Sequence, residues 1–264
     1  MKLLKHISNS VWHRLIQQKR KLMNILTDTL KVNRDALKKT LLKLRHIPLL
    51  ALAYVVYQLI LFAVSMIGAN LGAGIGFLWG FVNYLVNIAI MAHFLSLLYN
   101  VIRYNRLTPQ DLLNRQFTRL MPSLLQAFFF LYIIELLFSL FLSPILPAIS
   151  SFLILLVWEA LKTPVQESVY IGNQYGTGAL RATFEFWKSN WAQWSLIILA
   201  AAVYQILIQP LVGRLTLLSI WLMPVVWLVS GVLISVWMVW RGELFDILDS
   251  SSMRSREFRR GFDS

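Results

Sequence analysis

The chain has 264 residues, of which 58% are hydrophobic and only 14% charged, a composition that excludes an ordinary water-soluble core and fits a bilayer as solvent. Its formal charge of +13 does not point to nucleic acid, because the basic residues flank apolar runs instead of collecting on a folded basic domain. With no cysteine present, disulfides, thiolate metal sites and a cysteine nucleophile are excluded too.

Residues 1–46 read as a basic cytoplasmic amphipathic arm, with twelve Lys/Arg against Asp28 and Asp35. The arm lacks a short apolar core followed by a small-residue cleavage site, so the first span is expected to direct insertion. Val11, Trp12, Leu15, Leu22, Leu26 and Leu30 recur at helical spacing and predict a surface-lying helix that starts after Ser8 or Ser10. Asn33 is expected to cap a second, short helix, with Leu37, Leu41 and Leu44 on one face and Arg34, Lys38 and Lys43 on another. Lys19, Arg20, Lys21, Lys38, Lys39 and Lys43 are the expected contacts to anionic membrane lipid. The basic tail Arg254, Arg256, Arg259 and Arg260 reads the same way, and docking of a protein partner or of a second copy of the chain is the sharper alternative.

Apolar stretches follow at 47–67, 74–98, 121–142, 147–161, 194–211 and 215–240. Crossing about 30 Å of hydrocarbon takes roughly 20 apolar residues, so five are comfortable and the fourth is short. Pro144 and Pro147 place a tight turn before it and Pro164 is expected to end it. Pro224 is expected to bend the sixth span. Of 25 Lys/Arg, all but Arg214 fall in the arm, the two long loops or the tail, which by the positive-inside rule puts both termini in the cytoplasm of a bacterial inner-membrane protein. Trp191 and Trp194 at the start of span five, with Trp237 and Trp240 at the end of span six, read as interfacial anchors. The expected fold is all-α and polytopic: a membrane domain over 47–240 of six transmembrane helices in three hairpins, each preceded by a cytoplasmic amphipathic helix, and a basic tail over 241–264. Those amphipathic helices start near Ala36, Asp111 and Ala179, with cores ALKKTLLKLRHIP, DLLNRQFTRLMP and ALRATFEFWKSNW, alike in pattern more than in identity.

A proline-bounded span, then TPVQES, then ALRATFEFWKSNW, resembles the broad group of bacterial six-span membrane proteins that includes the YciC-like proteins and the membrane domain attached to some glycerophosphodiester phosphodiesterases. The likeness covers most of the chain as topology and about 45 residues as motif. It implies an inner-membrane protein whose relatives mostly lack an assigned activity; the chain has no room for the soluble phosphodiesterase domain, so that activity does not carry over.

Polar residues within the spans are the candidate site. Gln58, Glu135 and Gln205 occupy similar places in the odd-numbered spans (VVYQLIL, YIIELLF, AVYQILI), near the expected midplane. An ionised carboxylate there costs roughly 3 kcal/mol, so Glu135 must face the bundle, find a partner or stay protonated. Asn83 and Asn87 lie one turn apart on span two and read as ligand-coordinating or as interhelical hydrogen-bonding groups. Glu159 and Lys162 are spaced to pair. Gly72, Gly76 and Gly80 form a small-residue packing stripe. His6, His13, His46 and His93 show no zinc-ligand spacing, no cofactor motif is found, and no Gly-x-Ser-x-Gly or Walker sequence occurs. Two function classes follow: a non-enzymatic envelope or membrane-homeostasis protein that contacts lipid or a partner, and a permease or secondary transporter built on the polar site around Glu135.

Overall fold

The computed structural model describes residues 2–69, 76–114, 116–142, 145–218, 222–253, 255, 256 and 258, and among them the chain is helical with no strand. The helices are α1 (Lys2–Leu42), α2 (Ile47–Ala69), α3 (Gly76–Tyr104), α4 (Phe117–Leu137), α5 (Ala148–Tyr170), α6 (Thr177–Val203), α7 (Gln209–Leu218) and α8 (Met223–Asp249). Single 3-10 turns at Leu44–His46 and Pro109–Leu113 lead into α2 and α4, and π-helical turns at Phe138–Leu142 and Tyr204–Ile208 extend α4 and α6. Five helical stretches are long and apolar enough to cross a membrane: Leu44–Ala69, Trp79–Tyr104, Phe117–Leu142, Thr177–Arg214 and Met223–Asp249. The fourth expected span corresponds to α5, a helix of 23 residues that is not among those five.

The long helices form a ring in chain order. α2 touches α3, α3 touches α4, and so on through α5, α6 and α7 to α8, which closes the ring against α2 in the most extensive interface of the molecule. The next largest interfaces are α3 with α4 and α5 with α6, so α2, α3 and α4 each lean less on the partner in their expected hairpin than on the neighbour across the hairpin boundary. At the α2/α8 seam Gly231 makes the approach possible: a Cβ there would stand 3.0 Å from the Ala51 carbonyl oxygen. Of the expected glycine stripe, Gly80 makes no such approach within the chain. Gly72 lies outside the described residues, and a Cβ on Gly80 would meet nothing within 4 Å.

Several local expectations are corrected. The arm is one continuous helix of 41 residues, and Asn33 caps nothing: it is buried in mid-helix, with Nδ2 donating to Thr29 O and to Gln193 O on α6, both at 2.9 Å. The side α1 buries is polar and small (Asp28, Val32, Asn33, Ala36, Thr40, Lys43) and packs on α6 and α8, whereas Leu26, Leu30, Leu37 and Leu41 stand exposed. Side chains of Val11, Trp12, Leu15, Arg20, Lys21 and Leu22 lie outside the described residues.

Pro164 does not end its helix either. α5 continues to Tyr170, and the carbonyl of Ala160, which a residue without N–H at 164 cannot satisfy, accepts a hydrogen bond from Thr163 Oγ1 at 2.7 Å. Pro224 starts α8 in its first turn instead of bending it, as its fixed φ and missing donor favour. The proposed tail begins inside α8, which runs unbroken past Trp240 to Asp249. Of the expected amphipathic units, the second is reduced to the 3-10 turn at Pro109–Leu113 and the third is simply the first turns of α6. Trp191 is exposed as an anchor should be, but Trp194 is fully buried, edge-on to Phe186 with ring centres 5.1 Å apart, and donates from Nε1 to Thr163 Oγ1 at 3.0 Å. Phe186 in turn stacks on Phe245 of α8 at 4.8 Å. The ALRATFEFWKSNW stretch thus supplies the aromatic centre of the packing.

Candidate functional site

Inside the ring lies a cavity of about 390 Å³ to which α2, α3, α4, α5, α6 and α8 all contribute. Three residues expected to share a site line it: Gln58 from α2, Asn87 from α3 and Gln205 from the π-helical turn after α6. A π turn widens the helix and redirects its side chains, which is why such turns recur at functional positions. The rest of the lining is largely apolar and aromatic, with Phe94, Phe128, Ile90 and Ile198. Toward the end of the ring that holds α1, the lining becomes ionic: Glu159, Lys162 and Arg241.

Glu135 and Asn83 are placed differently from the expectation. Asn83 is exposed, outside the lining, and engages only its own helix: Asn87 Nδ2 donates to its carbonyl at 2.8 Å and to its Oδ1 at 3.1 Å. Glu135 sits behind the wall, in a cleft of about 70 Å³ with Phe138, Ile154 and Trp158. Its Oε1 accepts from Trp158 Nε1 at 2.8 Å and from Lys162 Nζ. Lys162 also binds Glu159 Oε1 at 2.7 Å, as the spacing predicted, so one ammonium is shared by two carboxylates. The partner that a carboxylate at this depth requires is thus a lysine on the neighbouring helix.

Arg241 enters from α8 and is almost fully buried. Its Nε donates to Glu167 Oε1 at 2.5 Å, Nη2 donates to Gln166 Oε1, and its guanidinium lies 4.6 Å over the ring of Trp237. Trp237 Nε1 is buried and has no hydrogen-bond partner among the described residues, although the indole lines the cavity. His93 carries no metal-like cluster; its Nδ1 shares a hydrogen bond with the hydroxyl of Tyr57.

At the α1 end the helices are tied by charges that the sequence pattern did not reveal. Lys43, expected at the lipid surface, turns inward: Nζ donates to Ile102 O at 2.8 Å and pairs with Glu243. Lys39 approaches the same carboxylate at 3.8 Å but remains exposed, as do Lys19 and Lys38. Arg103 pairs with Asp246 at 2.9 Å. Arg256 reaches back to Asp28 at 2.9 Å, and Gln193 Nε2 donates to the same carboxylate at 2.9 Å. Arg254, Arg259 and Arg260 lie outside the described residues. The signal for this layer was present only as the acids Asp28, Glu167 and Glu243, each in or next to a helical segment that otherwise had no need of them.

Together these features define a helical bundle of membrane-spanning character, built round an amphipathic cavity and clamped at one end by buried ion pairs. No protein-family model, curated protein or solved structure matches the chain.

Proposed function

We propose that the chain is a non-enzymatic, multi-pass protein of a bacterial inner membrane that takes a lipid-like amphiphile into its central cavity and serves membrane homeostasis. The observation that carries this reading is the mixed wall of the cavity, which combines aliphatic and aromatic side chains with Gln58, Asn87, Gln205 and Lys162. Such a wall matches a molecule with an acyl part and a hydrogen-bonding head. Native mass spectrometry of the purified protein tests it. Wild type should retain bound lipid, and Ala202→Trp, which fills the cavity, should lose it while eluting as the same folded species. Equal retention by both would remove the reading.

The proposal includes six spans, with α5 crossing as the fourth: 23 residues at 1.5 Å each give about 35 Å. It also includes cytoplasmic termini and an α1 that lies on the inner surface with its exposed leucines in lipid. Membership of the broad six-span group rests on the motif residues alone. Because the chain has no cysteine, single substitutions such as Asn24→Cys and Ser250→Cys can be labelled from either side of inverted vesicles; labelling of both from the cytoplasmic face supports this topology, and opposite sidedness overturns it.

A transporter is a second reading, favoured by the ammonium of Lys162 shared between Glu135 and Glu159 at the cavity's edge. Ionisable side chains clustered within apolar helices are the kind of group on which ion-coupled transport is built. Proton flux into proteoliposomes that is unchanged in Glu135→Gln would remove this alternative.

A further inference from the structure

A second polar site lies outside the ring, at the α1 end, where α3 stops and α4 begins. Two adjoining hollows of about 340 and 470 Å³ share Asn100, Tyr104 and Gln116 in their walls. The chain builds this corner with care. Asn105 ends α3 at φ +49 and Asn173 follows α5 at φ +55, both in the left-handed region that asparagine tolerates and that turns a helix end sharply. The carbonyl of Asn105 is held by Arg45 Nη2 at 3.1 Å, which ties the corner to the start of α2.

The first hollow carries charge of one sign, and the second of both. Arg119 lines the first and Arg106 the second, and neither pairs with a carboxylate among the described residues. Arg119 Nη2 is instead oriented by Asn173 Oδ1 at 2.5 Å, a neutral acceptor that fixes the guanidinium without cancelling it. Asp111 shares the second hollow with Arg106 and holds its own turn, its Oδ2 accepting from Thr108 N at 2.7 Å and from Thr108 Oγ1 at 2.8 Å, whereas the first hollow has no acid in its lining. The remaining wall offers hydroxyl and amide groups, with Tyr99 edge-on to Tyr104 at 5.8 Å. A planar guanidinium oriented by a neutral acceptor, in a hollow lined by hydroxyl and amide groups and by no carboxylate, is an arrangement that takes a phosphate group through charge-assisted and bidentate hydrogen bonds.

We infer that this corner binds a phosphate group, carried either by a phospholipid head at the membrane surface or by a soluble phosphate ester. The site is separate from the central cavity and does not depend on what that cavity holds. Both arginines are exposed, so neutral replacements leave the packed core untouched.

The test uses the full chain in two settings. In detergent, inorganic phosphate and glycerol 3-phosphate are titrated by calorimetry against chloride at matched ionic strength. In nanodiscs, phosphatidylglycerol is compared with an uncharged glycolipid carrying the same acyl chains, with retention read by native mass spectrometry. Losing one charged hydrogen-bonding partner corresponds to about a tenfold or greater loss of affinity. Arg119→Gln should weaken phosphate binding by about that factor, Arg106→Gln should weaken it less because Asp111 shares its hollow, and Arg119→Lys should restore part of the loss. Binding in detergent identifies a soluble ester as the source, and binding confined to phosphatidylglycerol nanodiscs identifies the lipid head. Absence of phosphate-dependent binding in both settings, or equal binding by the Arg106→Gln/Arg119→Gln double variant, overturns the inference.

Discussion

Arg241 of α8 and Glu167 of α5 meet side chain to side chain at 2.5 Å, and neither reaches solvent. They stand 74 positions apart in sequence, and their contact joins two helices across the ring. A buried pair of this kind adds little net stability, because desolvation consumes most of the Coulombic gain, but an orphaned member is costly.

Replacing Arg241 by Met should therefore destabilise the bundle by about 3–5 kcal/mol, since Glu167 would be left charged and buried. The double replacement Glu167→Met, Arg241→Met should recover most of that loss. Thermal unfolding in detergent, compared across both single variants and the double, measures the coupling.

The tie between Arg256 and Asp28 predicts an effect on the arm and not on the ring. In Arg256→Ala the carboxylate of Asp28 loses this guanidinium and with it the link to the chain after α8, so α1 should loosen from α6 and α8. Limited trypsin digestion reads this directly, as the arm is rich in lysine and arginine: cleavage within residues 17–45 should accelerate several-fold while the remainder of the chain stays intact. An unchanged digestion pattern would show that the tie does not hold the arm.

Around Lys162 the expectation is redundancy. Glu135→Gln leaves the ammonium paired with Glu159, so its thermal midpoint should match wild type closely. Removing both carboxylates at once strands the lysine, and the combined loss should exceed the sum of the single losses.

Gly231 and Gly80 make a matched pair for the seam. A side chain at 231 meets the backbone of Ala51, whereas one at 80 meets open space within the chain. Gly231→Leu should cost about 1–3 kcal/mol or more by overpacking, and Gly80→Leu should be nearly neutral, with detergent melts as the comparison.

The helices themselves were readable from the apolar runs, because a bilayer-crossing segment carries its signal locally. What escaped the sequence is what depends on distant partners. Asn33 has the chemistry of a cap, and its use in mid-helix follows only from the carbonyl of Gln193, 160 positions away. Pro164 looks like a terminator until Thr163 is seen to supply the missing donor to Ala160. Lys43 looks like a headgroup contact until Glu243, 200 positions on, is brought beside it. For the central site, Gln58 and Gln205 were found by their matching depth and Asn87 as one of a pair a turn apart, whereas Glu135, which found the partner a buried carboxylate needs, is held out of the lining by Lys162 and Trp158 on α5.

The closure of α8 against α2 also has a bearing on how the molecule is made. Synthesis delivers α2 well before α8, so the largest interface joins two helices that leave the ribosome far apart in time. Until α8 arrives, Glu167 and Lys43 lack their partners, and a flank of α2 built to receive Gly231 faces lipid. A nascent chain that stalls before α8 therefore leaves Glu167 and Lys43 without their partners on that helix and the flank of α2 at Ala51 uncovered.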